Sequence, residues 1–478
     1  MPRGVRFESK FIPRNMRRDK LTLPNVSEVE VVRHYIRLSQ MSWGVDLGTY
    51  PLGSCTMKYN PKYFERNVLL EKIESVHPLQ PVETVQGILK LLYELEKWLA
   101  EITGMKKGSF QPAAGAHGEL TGALMIRKYH IDKGERFRDE IIIPDSAHGT
   151  NPASASMAGF KVITVPTGES GTIDLDALQE ALSRRTAGIM LTNPNTLGIF
   201  EKDIVEVAKM IHDEGGLLYY DGANLNGIMG VARPGDMGFD IVHLNMHKTF
   251  AAPHGGGGPG ACVVLAKGEL VDYLPVPLVA YDGKRYYWDY NVPKTIGKVR
   301  AFYGNIAQLV RAYLYLLSLG YDGIKEVTYH SVLITNYFVS LLKPLRGIEV
   351  SYSRNRLRKH EVVISVKKLE EETGVSATDV AKALMDKGVH APTVYFPLIV
   401  KEALMIEFTE TESVDDVERY ARYLREIIKA AYKNPEQVKS SPTNLSIKRL
   451  DEVKANSLKE FVSSYRLLVK RTANRRLS

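Results

Sequence analysis

The sequence predicts an α/β fold in which a mostly parallel β-sheet carries helices on both faces. Between residues 105 and 270, short apolar segments alternate with stretches of helical periodicity. The chain has 478 residues, of which 44% are hydrophobic and 25% charged. This length and composition predict one large domain and a smaller one, each with its own buried core.

Each expected strand of the large sheet is a short apolar segment. The six segments are residues 140–143, 161–165, 188–191, 217–220, 241–244 and 261–265. Helices are expected over 28–41, after the cap residue Ser27, and from Ile88 to Leu99, where apolar residues recur at helical spacing. A helical stretch over 300–345 leads to a second α/β pattern, with strands near 361–366 and 403–406.

These patterns divide the chain into four predicted parts. Residues 1–60 form an N-terminal arm, 61–310 the large domain, 311–440 a small C-terminal α/β domain and 441–478 a tail. The net charge is +8, and the tail holds nine Lys and Arg residues against three acidic ones. The tail either attracts an acidic partner or is a solvated surface, and a nucleic-acid site is disfavoured because aromatic residues are sparse there.

The cysteine content and the apolar segments exclude several classes of protein. Cys55 and Cys262 are too few for a disulfide framework and lack metal-ligand spacing, so we expect no metal site. The N-terminus lacks the apolar core of a secretory signal, and no segment approaches the roughly 20 apolar residues of a membrane span. We therefore expect a cytoplasmic protein.

Polar clusters follow the predicted strands, where ligands bind in open α/β sheets. The segment QPAAGAHGE (111–119) places small residues before a predicted helix, so its backbone N–H groups can bind a phosphate. A tight turn packed on the sheet explains the same residues.

A second cluster, YYDGAN (219–224), ends a predicted strand. Asp221 and Ala223 lie two residues apart and so point to the same side of an extended chain. The carboxylate can pair with a protonated pyridine nitrogen, while the small Ala223 leaves room for the ring. The alternative is that Asp221 only caps the next helix.

A third cluster contains Lys248 and Thr249 directly after a predicted strand, followed by four consecutive glycines over 255–258. A desolvated lysine close to other cationic groups has a lowered pKa and is nucleophilic, and the Thr249 hydroxyl can bind phosphate. Most lysines are solvated surface residues. The glycines favour a site, because such a run allows the backbone to pass close to a ligand.

Two further strand ends carry polar side chains. His148, in DSAHGTNPAS (145–154), can stack on a pyridine ring or move protons, although a structural histidine is equally compatible with this pattern. Thr192, in TNPNTLG (192–198), offers a hydroxyl, although a Pro-Asn turn explains this segment too.

The order of these clusters resembles that of the aspartate-aminotransferase-like enzymes of fold type I, which use pyridoxal phosphate. Several motifs are more specific. They resemble subunit 2 of glycine dehydrogenase (decarboxylating), the P-protein of the glycine cleavage system in its split form. The motifs are PLGSCTMKYNP (51–61), HPLQPVETVQG (77–87), QPAAGAHGELTG (111–122), DSAHGTNPASA (145–155), LNMHKTFAAPHGGGGPG (244–260) and PTVYFPLIVKEALMIEFTETES (392–413).

The resemblance implies roles for individual residues. Lys248 would be the Schiff-base lysine, Asp221 would hold the pyridine nitrogen and His148 would stack on the ring; these three are the expected catalytic residues. The expected cofactor-binding set adds Ala223, His247, Thr192 near the phenolic oxygen, and the phosphate-binding residues Ala114, Gly115, Ala116 and Thr249. His247 and His254 could also position the substrate carboxylate, more weakly than an arginine would.

The resemblance also implies a reaction and partners. Glycine would lose carbon dioxide and its aminomethyl group would pass to the lipoyl arm of the H-protein, with subunit 1 completing an α2β2 assembly. Because a buried Arg gripping the carboxylate would stabilise the ground state, we expect no Arg clamp, and the quoted motifs over 77–260 contain none. The alternatives are an aminotransferase or aldolase that uses the same cofactor, or a non-catalytic scaffold or nucleic-acid-binding protein.

Overall fold

The computed structural model describes residues 11–17, 26–255, 260–342, 344–352 and 356–457. The chain divides into two compact units, Met1–Trp43 and Gly44–Ser478. Of the features singled out above, three of the four glycines (256–258) and the tail beyond residue 457 lie outside the described residues.

In the first unit a short 3-10 helix (Arg14–Met16) precedes helix α1 (Glu28–Ser39). The helix begins at the predicted cap, because the Ser27 hydroxyl accepts the N–H of Glu30 and the Glu30 carboxylate accepts the N–H of Ser27 at 2.7 Å. This reciprocal pair satisfies two N–H groups that have no partner within the helix. None of the residues of α1 is buried.

The second unit contains a seven-stranded sheet with the strand order β1-β7-β6-β5-β4-β2-β3. Strand β7 runs in the opposite direction to the other six strands, which are parallel to one another. This confirms the predicted mostly parallel sheet. The predicted segments all form strands, with ends that differ by up to two residues. The strands are β1 (Lys107–Ser109), β2 (Glu140–Pro144), β3 (Lys161–Val165), β4 (Thr186–Leu191), β5 (Leu217–Asp221), β6 (Ile241–Asn245) and β7 (Cys262–Ala266).

Helices cover both faces of this sheet because successive strand residues point to opposite sides. In β5, Leu218 and Tyr220 belong to one apolar core, and Leu217 and Tyr219 belong to the other. The helices that precede or alternate with these strands are α2 (Tyr63–Val68), α3 (Glu71–Glu74), α4 (Gln86–Thr103), α5 (Gly115–Asp132), α6 (Thr150–Met157), α7 (Leu175–Ala181) and α8 (Ile204–Asp213).

A hairpin of β8 (Leu278–Tyr281) and β9 (Tyr286–Asp289) and the long helix α9 (Ile306–Leu341) lead to a second core. Helix α9 is kinked at Gly320, where φ is 63°. The second sheet is antiparallel, in the order β10-β11-β13-β12. Its elements are β10 (Glu349–Val350), β11 (Glu361–Ser365), β12 (Thr393–Val394) and β13 (Ala403–Glu407), with helices α10 (Lys367–Thr373), α11 (Ala377–Asp386), α12 (Val414–Lys433) and α13 (Pro435–Lys439).

The described part of the tail includes helix α14 (Glu452–Ala455). Before it, the N–H groups of Thr443 and Asn444 donate to the Asp386 carboxylate, and Arg449 forms an ion pair with Asp379 at 2.6 Å. Residues 441–449 are therefore anchored to α11. Within the described ranges, every helix is too short or too polar to span a bilayer.

Strand β1 and the hairpin β8/β9 were not predicted from the sequence. The three residues of β1, Lys-Gly-Ser, contain no apolar pattern, and the strand exists because its backbone pairs with the edge strand β7. Tertiary pairing of this kind overrides local propensity.

Close packing of α5 on the sheet gives the first prediction. A methyl group at Gly122 would lie 2.1 Å from the ring of Tyr219, whereas one at Gly87, in the first turn of α4, would meet no atom within 4 Å. Gly122→Ala is therefore expected to destabilise the protein by about 1–3 kcal/mol. The control Gly87→Ala is expected to stabilise it by about 0.5–1 kcal/mol. Urea denaturation midpoints measure both, and equal midpoints for the two variants would contradict this packing.

Candidate active site

The polar clusters that follow β2, β5 and β6 meet the beginning of α5 around a cavity of about 480 Å³. This volume lies within the usual range for small-molecule sites. Eight of the predicted site residues line it: Ala114, Gly115, Ala116, His148, Asp221, Ala223, His247 and Lys248.

Asp221 ends β5 and is 1% exposed. Its Oδ2 accepts hydrogen bonds from His148 Nδ1 at 2.9 Å and from the Asn151 amide at 3.0 Å. Its Oδ1 accepts the N–H of Ala223 at 3.0 Å and lies 3.4 Å from His243 Nε2. The carboxylate is thus surrounded by donors on both oxygens.

These neighbours decide the charge of Asp221. Burial alone would raise the pKa of the carboxyl group, but His148, His243 and the Lys248 ammonium together hold this pKa well below its usual range. Asp221 is therefore ionised at any physiological pH. An ionised carboxylate in the floor of a cavity stabilises a cationic group bound above it.

His148 contacts partners through both ring nitrogens. Nδ1 faces Asp221, and Nε2 lies 2.6 Å from the hydroxyl of Ser54. Because the Asp221 carboxylate only accepts, Nδ1 carries a proton. The ring of Phe396 lies parallel to that of His148, with centroids 6.2 Å apart.

The N-terminus of α5 forms another wall. The helix begins at Gly115, after Ala114, and no side chain caps it. A methyl group at Gly115 would lie 2.2 Å from the Asn245 amide, so only glycine allows α5 to approach β6 this closely. The first N–H groups of an α-helix have no partner within the helix, and Gly115 and Ala116 line the cavity, so the start of this 18-residue helix favours an anion there.

Lys248 follows β6 and has two histidines nearby. Burial, His254 and Lys248 lower the pKa of His247 to about 3, and burial and Lys248 lower the pKa of His254 to about 4. Both imidazoles are therefore neutral at neutral pH. Lys248 is the cation on the described lining.

Two predicted residues, Thr192 and Thr249, are not among the described residues that line the cavity. Both are buried, at 2% and 1% exposure. Neither hydroxyl has a hydrogen-bond partner among the described residues, and an unsatisfied buried hydroxyl is unusual in a native interior.

Sequence reasoning missed Ser54, Glu119 and His243, which also line the cavity. Burial and the charge of Asp221 raise the pKa of Glu119 to about 8, so this carboxyl group is largely neutral at neutral pH. His243 pairs with Asp221 across β5 and β6, and its Nδ1 lies 2.6 Å from the Tyr219 hydroxyl. A histidine within an apolar strand, two residues before Asn245, was the available signal for this position.

The donor set fits pyridoxal phosphate. The start of α5 suits a phosphate, the ionised Asp221 suits a pyridine nitrogen that must stay protonated, and the Lys248 amine suits an aldehyde. The Thr249 hydroxyl, which has no partner among the described residues, also suits a phosphate.

Comparison with known families is consistent with this donor set. Residues 6–284 match the glycine cleavage system P-protein family, and residues 327–449 match the C-terminal domain of glycine dehydrogenase. A probable glycine dehydrogenase (decarboxylating) subunit 2 of Pyrococcus furiosus is 61% identical over 95% of this chain and 91% of its own length. A protein of the same description from Staphylothermus marinus is 54% identical over 99% of this chain and 92% of its own.

Solved structures share the fold. A glycine decarboxylase (P-protein) in inhibitor-bound form has a TM-score of 0.72 at 20% identity, covering 87% of this chain and 93% of its own. A glutamate decarboxylase of Lactobacillus brevis has a TM-score of 0.66 at 14% identity, covering 87% and 96%. The sequence matches, which span more than half of the chain, establish its membership: it belongs to the glycine cleavage system P-protein family, whose members depend on pyridoxal phosphate.

Proposed function

We propose that this chain decarboxylates glycine with pyridoxal phosphate and transfers the aminomethyl group to the lipoyl arm of the H-protein. One observation carries the proposal. The ionised Asp221 ends β5, Lys248 follows the neighbouring strand β6, and both residues line one cavity. Family membership supports glycine as the amino acid, since the relatives are described as glycine dehydrogenases.

Each residue would act on a different part of the cofactor. Lys248 would hold it covalently through its amine, His148 and Ala223 would lie against the two sides of the ring, and Thr192 would contact its phenolic oxygen. Ala114, Gly115, Ala116 and Thr249 would bind the phosphate. When bound, the cofactor supplies an electron sink for the bond that is broken, and Asp221 keeps it effective by preserving the positive charge of the ring nitrogen.

The lining suits a carboxylate that must leave. A buried guanidinium would bind the substrate carboxylate through two hydrogen bonds and stabilise the state before decarboxylation. The described lining offers instead His247, which is neutral because its pKa lies at about 3. A neutral imidazole can orient the carboxylate by a single hydrogen bond without neutralising its charge.

Relatives described as subunit 2 imply a partner subunit 1. We propose that the two form an α2β2 tetramer, that the H-protein docks on this tetramer and that the assembly is cytoplasmic. The reduced state expected in the cytoplasm suits Cys55 and Cys262, which are both free thiols.

Replacement of Lys248 tests the attachment of the cofactor. Lys248→Ala is expected to lower glycine-dependent release of labelled carbon dioxide by roughly a thousandfold or more, because the attachment is lost. In the wild type, borohydride reduction followed by peptide mapping is expected to find the cofactor on Lys248. Lys202→Ala, on the surface, is the matched control and should retain activity. Cofactor fixed on another lysine would refute the assignment.

Asp221→Asn tests the carboxylate by removing a charge and almost no volume. The amide cannot keep the ring nitrogen protonated, so carbon dioxide release is expected to fall by roughly 100-fold or more while the fold persists. Asp240→Asn is the control, since Asp240 likewise accepts a backbone N–H, that of Leu218, and pairs with a histidine, His212, but lies directly before β6, away from the cavity. Equal activity of the two variants would remove Asp221 from the reaction.

The partners are tested by reconstitution. Glycine-dependent carbon dioxide release is expected to require this chain, subunit 1 and the lipoylated H-protein, and to be much lower with H-protein that lacks the lipoyl group. The unlipoylated protein is the matched control, because it preserves the docking surface. Equal rates with the two forms would show that the aminomethyl group is not transferred to the lipoyl arm.

A further inference from the structure

Ser54 lines the cavity from the motif over 51–61, which is distant in sequence from the polar clusters at the strand ends. Its hydroxyl lies 2.6 Å from Nε2 of His148, and the opposite ring nitrogen donates to Asp221 at 2.9 Å. Since Nδ1 carries a proton, a neutral His148 accepts the Ser54 O–H at Nε2. The ring is thereby held at both nitrogens, which fixes its plane as well as its place.

The small antiparallel sheet positions Ser54. Its N–H donates to Oε2 of Glu361 at 2.9 Å, and the N–H of Thr56 donates to Oε2 of Glu407 at 2.9 Å. Glu361 and Glu407 are cross-strand partners on β11 and β13, and each is at most 1% exposed. The N–H of Gly53 donates in turn to the Met405 carbonyl of β13 at 3.2 Å. These three contacts fix the turn on β11 and β13, the two central strands of the small sheet.

The backbone at Ser54 is unfavourable for serine. Its φ is 67°, in the left-handed region, which glycine adopts freely and other residues rarely adopt. Strained residues of this kind persist where the surrounding structure enforces them and are concentrated at functional sites. Glycine would relieve the strain but would remove the only contact that the serine side chain makes with His148.

We propose that Ser54 is a positioning residue for His148: its hydroxyl holds one ring nitrogen while Asp221 holds the other, so that the ring is oriented before the cofactor binds. The small sheet thus controls a side chain of the large domain through Ser54. This inference rests on the proposed role of His148 against the cofactor ring.

The experiment compares Ser54→Ala, Ser54→Gly and Ser170→Ala in the full chain. Ser170 is the control because its hydroxyl also makes a single 2.6 Å contact, with Thr172, away from the cavity. Three quantities are measured: the ring ¹⁵N shifts of His148 without cofactor, assigned with His148→Gln; the dissociation constant of pyridoxal phosphate; and the melting temperature.

Both Ser54 variants are expected to shift the Nε2 resonance of His148 and to weaken cofactor binding about three- to tenfold, the effect of one lost hydrogen bond. Ser54→Gly should melt no lower than the wild type, because it relieves the strain at φ 67°. Ser170→Ala should leave the ring shifts and the cofactor affinity unchanged. If Ser54 had only a structural role, its replacement would instead lower the melting temperature and leave cofactor binding unchanged.

Two results would overturn the proposal: an unchanged His148 resonance in Ser54→Ala, or a shifted resonance with unchanged cofactor affinity. Failure of the proposed function looks different. If the wild type does not bind pyridoxal phosphate, the cofactor assignment is wrong, while the ring shifts still determine whether Ser54 holds His148.

Discussion

The active site depends on an ionised carboxylate buried at Asp221. A charge in a protein interior is strongly disfavoured unless donors and opposite charges surround it. Here His148 and Asn151 donate to one oxygen, while Ala223 N–H donates to the other and His243 lies beside it. These groups come from the loop after β2, from α6, from β6 and from the turn after β5, so the buried carboxylate stays ionised because the fold brings them together. The electron-sink chemistry proposed for this chain requires that charge.

Close packing requires glycines along the contact between α5 and the sheet. A side chain at Gly115 would meet Asn245, one at Gly118 would meet Cys262 and one at Gly122 would meet Tyr219. The helix therefore lies unusually close to β5, β6 and β7. Because the helix lies this close, its N-terminus and Lys248 line the same cavity, and an anion bound at the N-terminus would lie in that cavity. The stability of the fold and the proposed phosphate binding thus depend on the same packing.

The small sheet contributes more than a separate core. Two buried glutamates on its strands β11 and β13 accept hydrogen bonds from the turn at 53–56. Burial raises the pKa of Glu407 to about 7, although Thr56 and Lys248 partly oppose this rise. Burial and Glu407 also raise the pKa of Glu361 well above its usual range. The pair is consequently at least partly protonated at neutral pH, which reduces the repulsion between two adjacent carboxyl groups. The turn therefore binds to two carboxyl groups that are at least partly protonated.

The sequence by itself determined the features that depend on local periodicity: the alternation of strands and helices, the cap at Ser27, and the strand-end positions of His148, Asp221 and Lys248. The spacing of Asp221 and Ala223 placed both on one side because a strand alternates every two residues. Family motifs extended this to the cofactor and the reaction. Only the tertiary structure brought Ser54 to His148, 94 residues later, and Glu361 to Ser54, 307 residues away. The tertiary structure also decided that Asp221 stays ionised despite its burial and that the pKa values of Glu361 and Glu407 are raised, because burial and neighbouring charge follow from the packing of distant segments and leave no local pattern in the sequence.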